Sequence, residues 1–398
     1  MYDILFEKFI KSKIPQLSIS KELKAFLSSS MPAVIFGCGD QGRISMDLCH
    51  MFHKNVYSFL ISEGGKRICP YWLDFPFYQL GDFPSEMKES VDVLISVNEK
   101  YNSEIAKNLK EEGFKNIFCV ENWTEANEAL RKEWHGFYFS FQQMENPDKI
   151  FWESDKNGRI LKVKLNERFF KMYYSDDPLE QSNVLGNFCD VALPSLFEDN
   201  RYVTEGPYEY GKVTLEKGDV VFDLGSNFGM FSSVALAKEC FVHAFEPTPV
   251  IAEYLKKYLS ISEGEYHIWP YAVTDTTGET TFNLCHDTDG NYDLGRNSIL
   301  SKRDTSSSIV VQTITLDKFV EKNNISDVNF IKADIEGAER YMLMGAKQVL
   351  KEFAPKLSLC TYHLPDDPQV MEHLILEANP NYVIEHKWSK LYAYCPER

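Results

Sequence analysis

One alternation constrains this chain more than any other feature, and it starts twice. Short apolar segments of strand length are followed by stretches with helical spacing of apolar residues, first from PAVIFGCGDQGRISMDLCHMF and again from VVFDLGSNFGMFSS. Such alternation predicts parallel sheets covered by helices on both faces. In the first run the strands are Ala33 to Phe36, VYSFLIS, VDVLISV and NIFCV, with NSEIAKNLKEEGF as a helix. In the second they are VVFDLG, FVHAFEP, HIWPYAV, VNFIKADIE and KLSLCTYH, with helices over 228–238, 250–259, 338–353 and 369–378. TTFNL and VVQTITL read as an inserted hairpin, and YVIEHKW and LYAYCP as a closing one around the SK turn. A chain of 398 residues exceeds one ordinary core. The expected fold is therefore α/β, with two doubly wound domains over about 1–125 and 205–398. Between them, 126–204 reads as a helical or mixed connector that includes RILKVKLNERFFKMYYSD.

Charge narrows the partners. A net charge of −17 and a pI near 5.1 repel nucleic acid and anionic membrane surfaces, so a small molecule or glycan fits better. The nine cysteines are scattered, without a CxxC pair or zinc spacing, and read as reduced thiols of a cytoplasmic protein. MYDILFEKFIKSKIPQL breaks its apolar residues with charges, as an amphipathic helix does and a signal peptide does not. No apolar run approaches the roughly 18 to 20 residues that span a bilayer, so no integral membrane segment is expected. A homo-oligomer is left open.

In DLGSNFG, Asp223, Gly225 and Gly229 close a buried strand and open a helix, where glycines let the backbone approach a ligand. The same spacing also serves as a purely structural turn. About 20 residues on, Glu246 of AFEPTP ends the next strand, where a carboxylate can accept both hydroxyls of a ribose. A dinucleotide phosphate prefers GxGxxG, whereas DxGxxxG leaves room for the amino-acid part of S-adenosylmethionine (SAM). Ala272, Val273 and Asp275 of YAVTD stand where an adenine would stack and donate its amine. His363 ends the fifth strand in TYHLPDD, and an imidazole with a reference pKa near 6.5 can take a proton from a hydroxyl. Asp366 or Asp367 can orient it; a histidine merely satisfied by hydrogen bonds at a strand end is the plain alternative.

DLGSNFGMFS, FEPTP, AVTD with Gly278, TLDKF and above all IKADIEGAE occur in an order that resembles the FkbM family of SAM-dependent methyltransferases, over roughly residues 205 to 395. The resemblance implies the class I methyltransferase fold, SAM as methyl donor and a hydroxyl acceptor on a sugar, polyketide or other small molecule, in surface-glycan or secondary-metabolite synthesis. Carried over by position, Asp223, Gly225, Asn227 and Gly229 would line the methionine side, Glu246 the ribose and Asp275 the adenine. Asp334 would hold the SAM amine or the acceptor. Asp334 and Glu336 point to opposite sides of an extended strand, so both can act only if the strand has already turned; Glu336 otherwise braces the next helix. Asp334, Glu336 and Asp366 form an acidic set that can hold Mg²⁺, but methyl transfer from a sulfonium does not require a metal and none is assigned. Tyr208, Tyr210, Arg296, Asn297 and Ser298 flank the expected mouth.

Gly37, Gly39 and Gly42 form a GxGxxG after a strand, the context of a nucleotide turn, with Glu63 as the nearest ribose acid. This run resembles the Rossmann-like domain that precedes sugar O- and N-acyltransferases, which implies a nucleotide or sugar ligand; a structural domain fits the same residues. Two further functions compete with methyl transfer. One is a regulatory protein that binds SAM or a nucleotide without transferring a methyl group, and the other an NAD-dependent oxidoreductase using the first domain, weakened because no Tyr-x-x-x-Lys pattern follows the GxGxxG within residues 1–125.

Overall fold

The computed structural model describes residues 19–52, 54–64, 76–120, 150–165, 167–174, 184, 187–197, 205–284 and 307–396. The chain divides into two compact units, Met1–Glu145 with Arg201–Thr204, and Asn146–Asn200 with Glu205–Arg398. The expected N-terminal helix and the segment holding Arg296, Asn297 and Ser298 lie outside the described residues.

In the first unit, helices α1 (Lys21–Ser28), α2 (Asp40–Met51) and α3 (Asn102–Glu111) accompany strands β1 (Ala33–Phe36), β2 (Val56–Ile61), β3 (Phe77–Gln79), β4 (Asp92–Ile95) and β5 (Asn116–Cys119). All five strands are parallel, in the order β3-β2-β1-β4-β5. β1 and β4 are buried on both faces, which is why they read as unbroken apolar runs.

The second unit is built on a seven-stranded sheet. Its strands are β9 (Val220–Leu224), β10 (Phe241–Phe245), β11 (Tyr266–Trp269), β15 (Phe330–Ala333), β16 (Lys356–Cys360), β17 (Val383–Lys387) and β18 (Lys390–Tyr394). Their order is β11-β10-β9-β15-β16-β18-β17, and only β18 runs antiparallel to its neighbours. Phe222, Phe245, Phe319, Ile331, Leu357 and Leu359 are fully buried in its core. The helices are α4 (Leu193–Phe197), α5 (Met230–Ala237), α6 (Pro249–Leu259), α7 (Leu316–Asn323), α8 (Glu339–Met344), α9 (Lys347–Glu352) and α10 (Asp367–Ala378).

Three local expectations are corrected. The described residues of RILKVKLNERFFKMYYSD, read as helical or mixed, form strands: β7 (Gly158–Leu165) and β8 (Arg168–Tyr174) join β6 (Ile150–Asp155) in an antiparallel meander. Leu161, Val163 and Leu165 alternate with Lys162 and Lys164, a period of two that no helix buries. HIWPYAV is two strands, because Pro270 has no N–H for the ladder; β12 (Tyr271–Val273) leaves the main sheet for a small one with β13 (Gly278–Leu284) and β14 (Ser307–Ile314). The helix over 338–353 breaks at Gly345, and α9 restarts on the Asp317 carboxylate, which accepts from the N–H groups of Gln348 and Val349 at 3.0 Å. Among the described residues no helix is long and apolar enough to cross a membrane, and no cysteine is in a disulfide.

Candidate active site

A cavity of about 890 Å³, open to solvent, lies at the carboxyl ends of β9, β10 and β15, the edge where open α/β sheets receive ligands. Gly225, Asn227, Glu246, Val273, Asp334 and Glu336 all line it.

The first wall is the turn after β9. Gly225 has φ +72°, and a Cβ there would lie 2.0 Å from the Asp334 carbonyl oxygen, so only glycine lets the two strand ends meet. Lys332 ties the turn from below: its Nζ donates to the carbonyls of Gly225 (2.7 Å) and Leu224 (3.2 Å) and pairs with Asp223 at 3.1 Å. Asp223 is fully buried, accepts from Ser232 Oγ at 2.6 Å and does not line the cavity. Sequence motifs alone cannot separate an acid that touches a ligand from one that anchors the loop beneath it. Gly229 also stays off the cavity; it begins α5, and its φ of +81° packs it on Leu255.

The second wall is Glu246. Its Oε1 accepts from Thr248 N–H at 2.9 Å and its Oε2 from Asn227 N–H at 3.2 Å, leaving further lone pairs on the cavity wall. Burial pushes its pKa up to about 7, and those hydrogen bonds only partly counter it. Ile251, Val273 and Phe282, all buried, make the adjoining apolar slot. Asp275 is exposed, bonds Thr274 Oγ1 at 3.1 Å and does not reach the cavity; Ala272 and Val273 do.

The third wall follows β15. The strand stops at Ala333 and Glu336 turns to φ +55°, so Asp334 and Glu336 both face the cavity. Fully buried Glu339 enforces the turn, accepting from Ile335 N–H at 2.7 Å and Gly337 N–H at 3.0 Å. Asp334 accepts from the hydroxyls of Tyr208 (2.8 Å) and Tyr362 (3.2 Å). Burial opposes its charge, but Lys332, His363 and Lys390 hold its carboxyl below the usual range.

His363 stands behind this wall. Its Nε2 is 3.5 Å from Glu336 and 3.9 Å from Asp334, and its Nδ1 is 3.4 Å from Glu339. Burial alone would strip its proton, but Glu339, Glu336 and Asp334 push the pKa up to about 11. Held between these carboxylates, the ring favours its protonated form, which weighs against the base role expected for His363. Asp366 and Asp367 do not orient it either; both pair with Arg340, at 2.7 and 2.6 Å. The residues missed from sequence were Lys332 and Glu339, one inside a strand and one at a helix start, where charge usually reads as solvated surface. Tyr208 lines the cavity, whereas Tyr210 packs on Trp388 and Tyr392.

In the first unit, Gly42 packs on Gly37, where a Cβ would meet the carbonyl at 2.3 Å, while Gly39 faces open space. Glu63 is engaged locally, accepting from Gly81 N–H at 2.8 Å.

The strand order with one antiparallel strand, and a cavity closed by a glycine turn and an acidic strand end, define the class I methyltransferase fold. Residues 223–390 match the family model described as Methyltransferase FkbM domain. Hexuronic acid methyltransferase AglP of Haloferax volcanii is 27% identical over 163 residues, covering 41% of this chain and 64% of AglP. The 31-O-demethyl-FK506 methyltransferase FkbM of Streptomyces tacrolimicus is 26% identical over 178 residues, covering 38% of this chain and 66% of that protein. The chain thus spans just under two thirds of either relative. The crystal structure of methyltransferase FkbM from Methylobacillus flagellatus KT covers 98% of both chains at 14% identity, with a TM-score of 0.38.

Proposed function

We propose that the chain is a SAM-dependent O-methyltransferase acting on a hydroxyl of a sugar or other small molecule. The observation that carries this reading is the convergence of Gly225, Asn227, Glu246, Val273 and Asp334 on one cavity from four strand ends, those of β9, β10, β12 and β15. The donor set fits the cofactor: Glu246 has lone pairs free for ribose hydroxyls, the Ile251, Val273 and Phe282 slot fits a flat heterocycle, and Asp334 offers charge to an ammonium. Among the described residues Lys332 is the cation on the cavity wall, and it is spent on the carbonyls of Leu224 and Gly225 rather than turned to a phosphate.

When bound, SAM supplies an electrophilic methyl group. The chain's residues then align and shield. Tyr208 and Tyr362 fix the Asp334 carboxylate, and Glu339 fixes the loop that carries Glu336. An acceptor hydroxyl hydrogen-bonded to one of these carboxylates has a proton acceptor at hand as the methyl group moves. The likeness to a hexuronic acid methyltransferase supports a sugar acceptor. Mass spectrometry after incubation with SAM and a panel of uronic acids, neutral sugars and nucleotide sugars tests this: a 14 Da gain on one sugar hydroxyl is expected, and no gain on any member, from a chain that binds the cofactor, counts against a sugar acceptor.

A further inference from the structure

Of the acidic set Asp334, Glu336 and Asp366, to which the sequence assigned no metal, Arg340 takes Asp366 away and His363 stands in its place. Asp334, Glu336 and His363 each offer one ligand atom, all within 4.8 Å of one another. Nε2 of His363 lies 3.5 and 3.9 Å from the two carboxylates. Ligands about 2.1 Å from a shared ion stand about 3 to 4 Å apart, so this spacing suits a single cation after a small closure.

The histidine supplies an independent observation. Its side chain is 10% exposed and its ring nitrogens lie 3.4 to 3.9 Å from three carboxylates, without the close geometry of a satisfied hydrogen bond, and Nε2 faces the two on the cavity wall. Its surroundings also match what ligands need behind them. Glu339, clamped by two backbone N–H groups, sits 3.4 Å from Nδ1, where a carboxylate orients a metal-bound imidazole, and two tyrosine hydroxyls orient Asp334.

We propose that Asp334, Glu336 and Nε2 of His363 form a divalent-cation site at the edge of the cavity, suited by its two oxygens and one nitrogen to Mn²⁺ or a similar first-row ion. The ring proton is released to solvent as the ion takes its place. Asp334 and Glu336 line the cavity, so the open coordination positions face the acceptor, whose oxygen then meets the ion. The site rests on donor geometry; its use in catalysis rests on the methyl-transfer reading above.

Mn²⁺ itself is the probe. Full-length protein stripped with chelator is titrated with Mn²⁺ and followed by electron paramagnetic resonance, with S-adenosylhomocysteine binding measured in parallel. One bound ion per chain is expected, with pulsed-resonance modulation from one imidazole nitrogen. His363→Gln abolishes that modulation and weakens binding at least about tenfold, while Asp366→Asn preserves both. Should His363→Gln fail to fold, Glu336→Gln replaces it for affinity and the nitrogen modulation of the unsubstituted protein still decides. Absence of bound Mn²⁺, or bound Mn²⁺ without nitrogen modulation, overturns the proposal. A chain that binds S-adenosylhomocysteine but no Mn²⁺ loses only the ion site.

Discussion

Glu246→Gln separates the cost of a buried carboxylate from its use. The Glu246 pKa rises from 4.5 to about 7, mainly by burial. At about 1.4 kcal/mol per pH unit, holding the side chain ionised costs the ligand-free protein about 3 kcal/mol above pH 7. The sign follows from the direction: a raised carboxyl contributes stability that is fully present below 4.5 and is lost as pH rises through about 7. Urea melts of the native protein should therefore lose up to about 3 kcal/mol relative to Glu246→Gln between pH 4.5 and 8. Cofactor binding should move the opposite way, because ribose hydroxyls donate to the ionised form. At pH 5 only about 1% of Glu246 is ionised, so affinity should be about a hundredfold weaker than at pH 8. Equilibrium dialysis of labelled SAM from pH 5 to 8 reads this directly, and Glu246→Gln should bind weakly and without that slope. A native affinity flat across the range, or a glutamine variant that binds as tightly, refutes the reasoning.

Other substitutions follow from the geometry. Gly225→Ala places a Cβ 2.0 Å from the Asp334 carbonyl at φ +72°, and should lower stability by about 3 kcal/mol or more in denaturant melts. Lys332→Met leaves Asp223 buried without its cation and should cost about 3 to 5 kcal/mol, with part restored by adding Asp223→Asn; thermal unfolding of the single and double variants checks it. Asp275→Ala should change cofactor affinity less than about twofold, since the exposed side chain lies off the cavity; a tenfold loss in calorimetry would return Asp275 to the adenine.

Both α/β sheets were legible because their central strands are buried on two faces and read as apolar runs. The meander at 150–174 was not, because aromatics on both faces of β8 hide its period of two behind a helix-like composition. In the site, residues whose backbone or carboxylate ends a strand were readable: Gly225, Asn227, Glu246 and Asp334 meet at the cavity. Asp223 and Asp275 were not separable from them, since one residue along a strand decides whether a carboxylate points at the ligand or beneath it. Lys332 and Glu339 act through carbonyls and N–H groups contributed by other segments, and such partners are set by tertiary packing.

Calorimetric titration of the full-length protein with S-adenosylhomocysteine at pH 8, with NADH and a UDP-sugar in parallel, tests the central claim most directly. The account predicts one site per chain for S-adenosylhomocysteine. No heat with that compound, and saturable binding of NADH or the nucleotide sugar instead, would contradict it and move the ligand chemistry to the first unit.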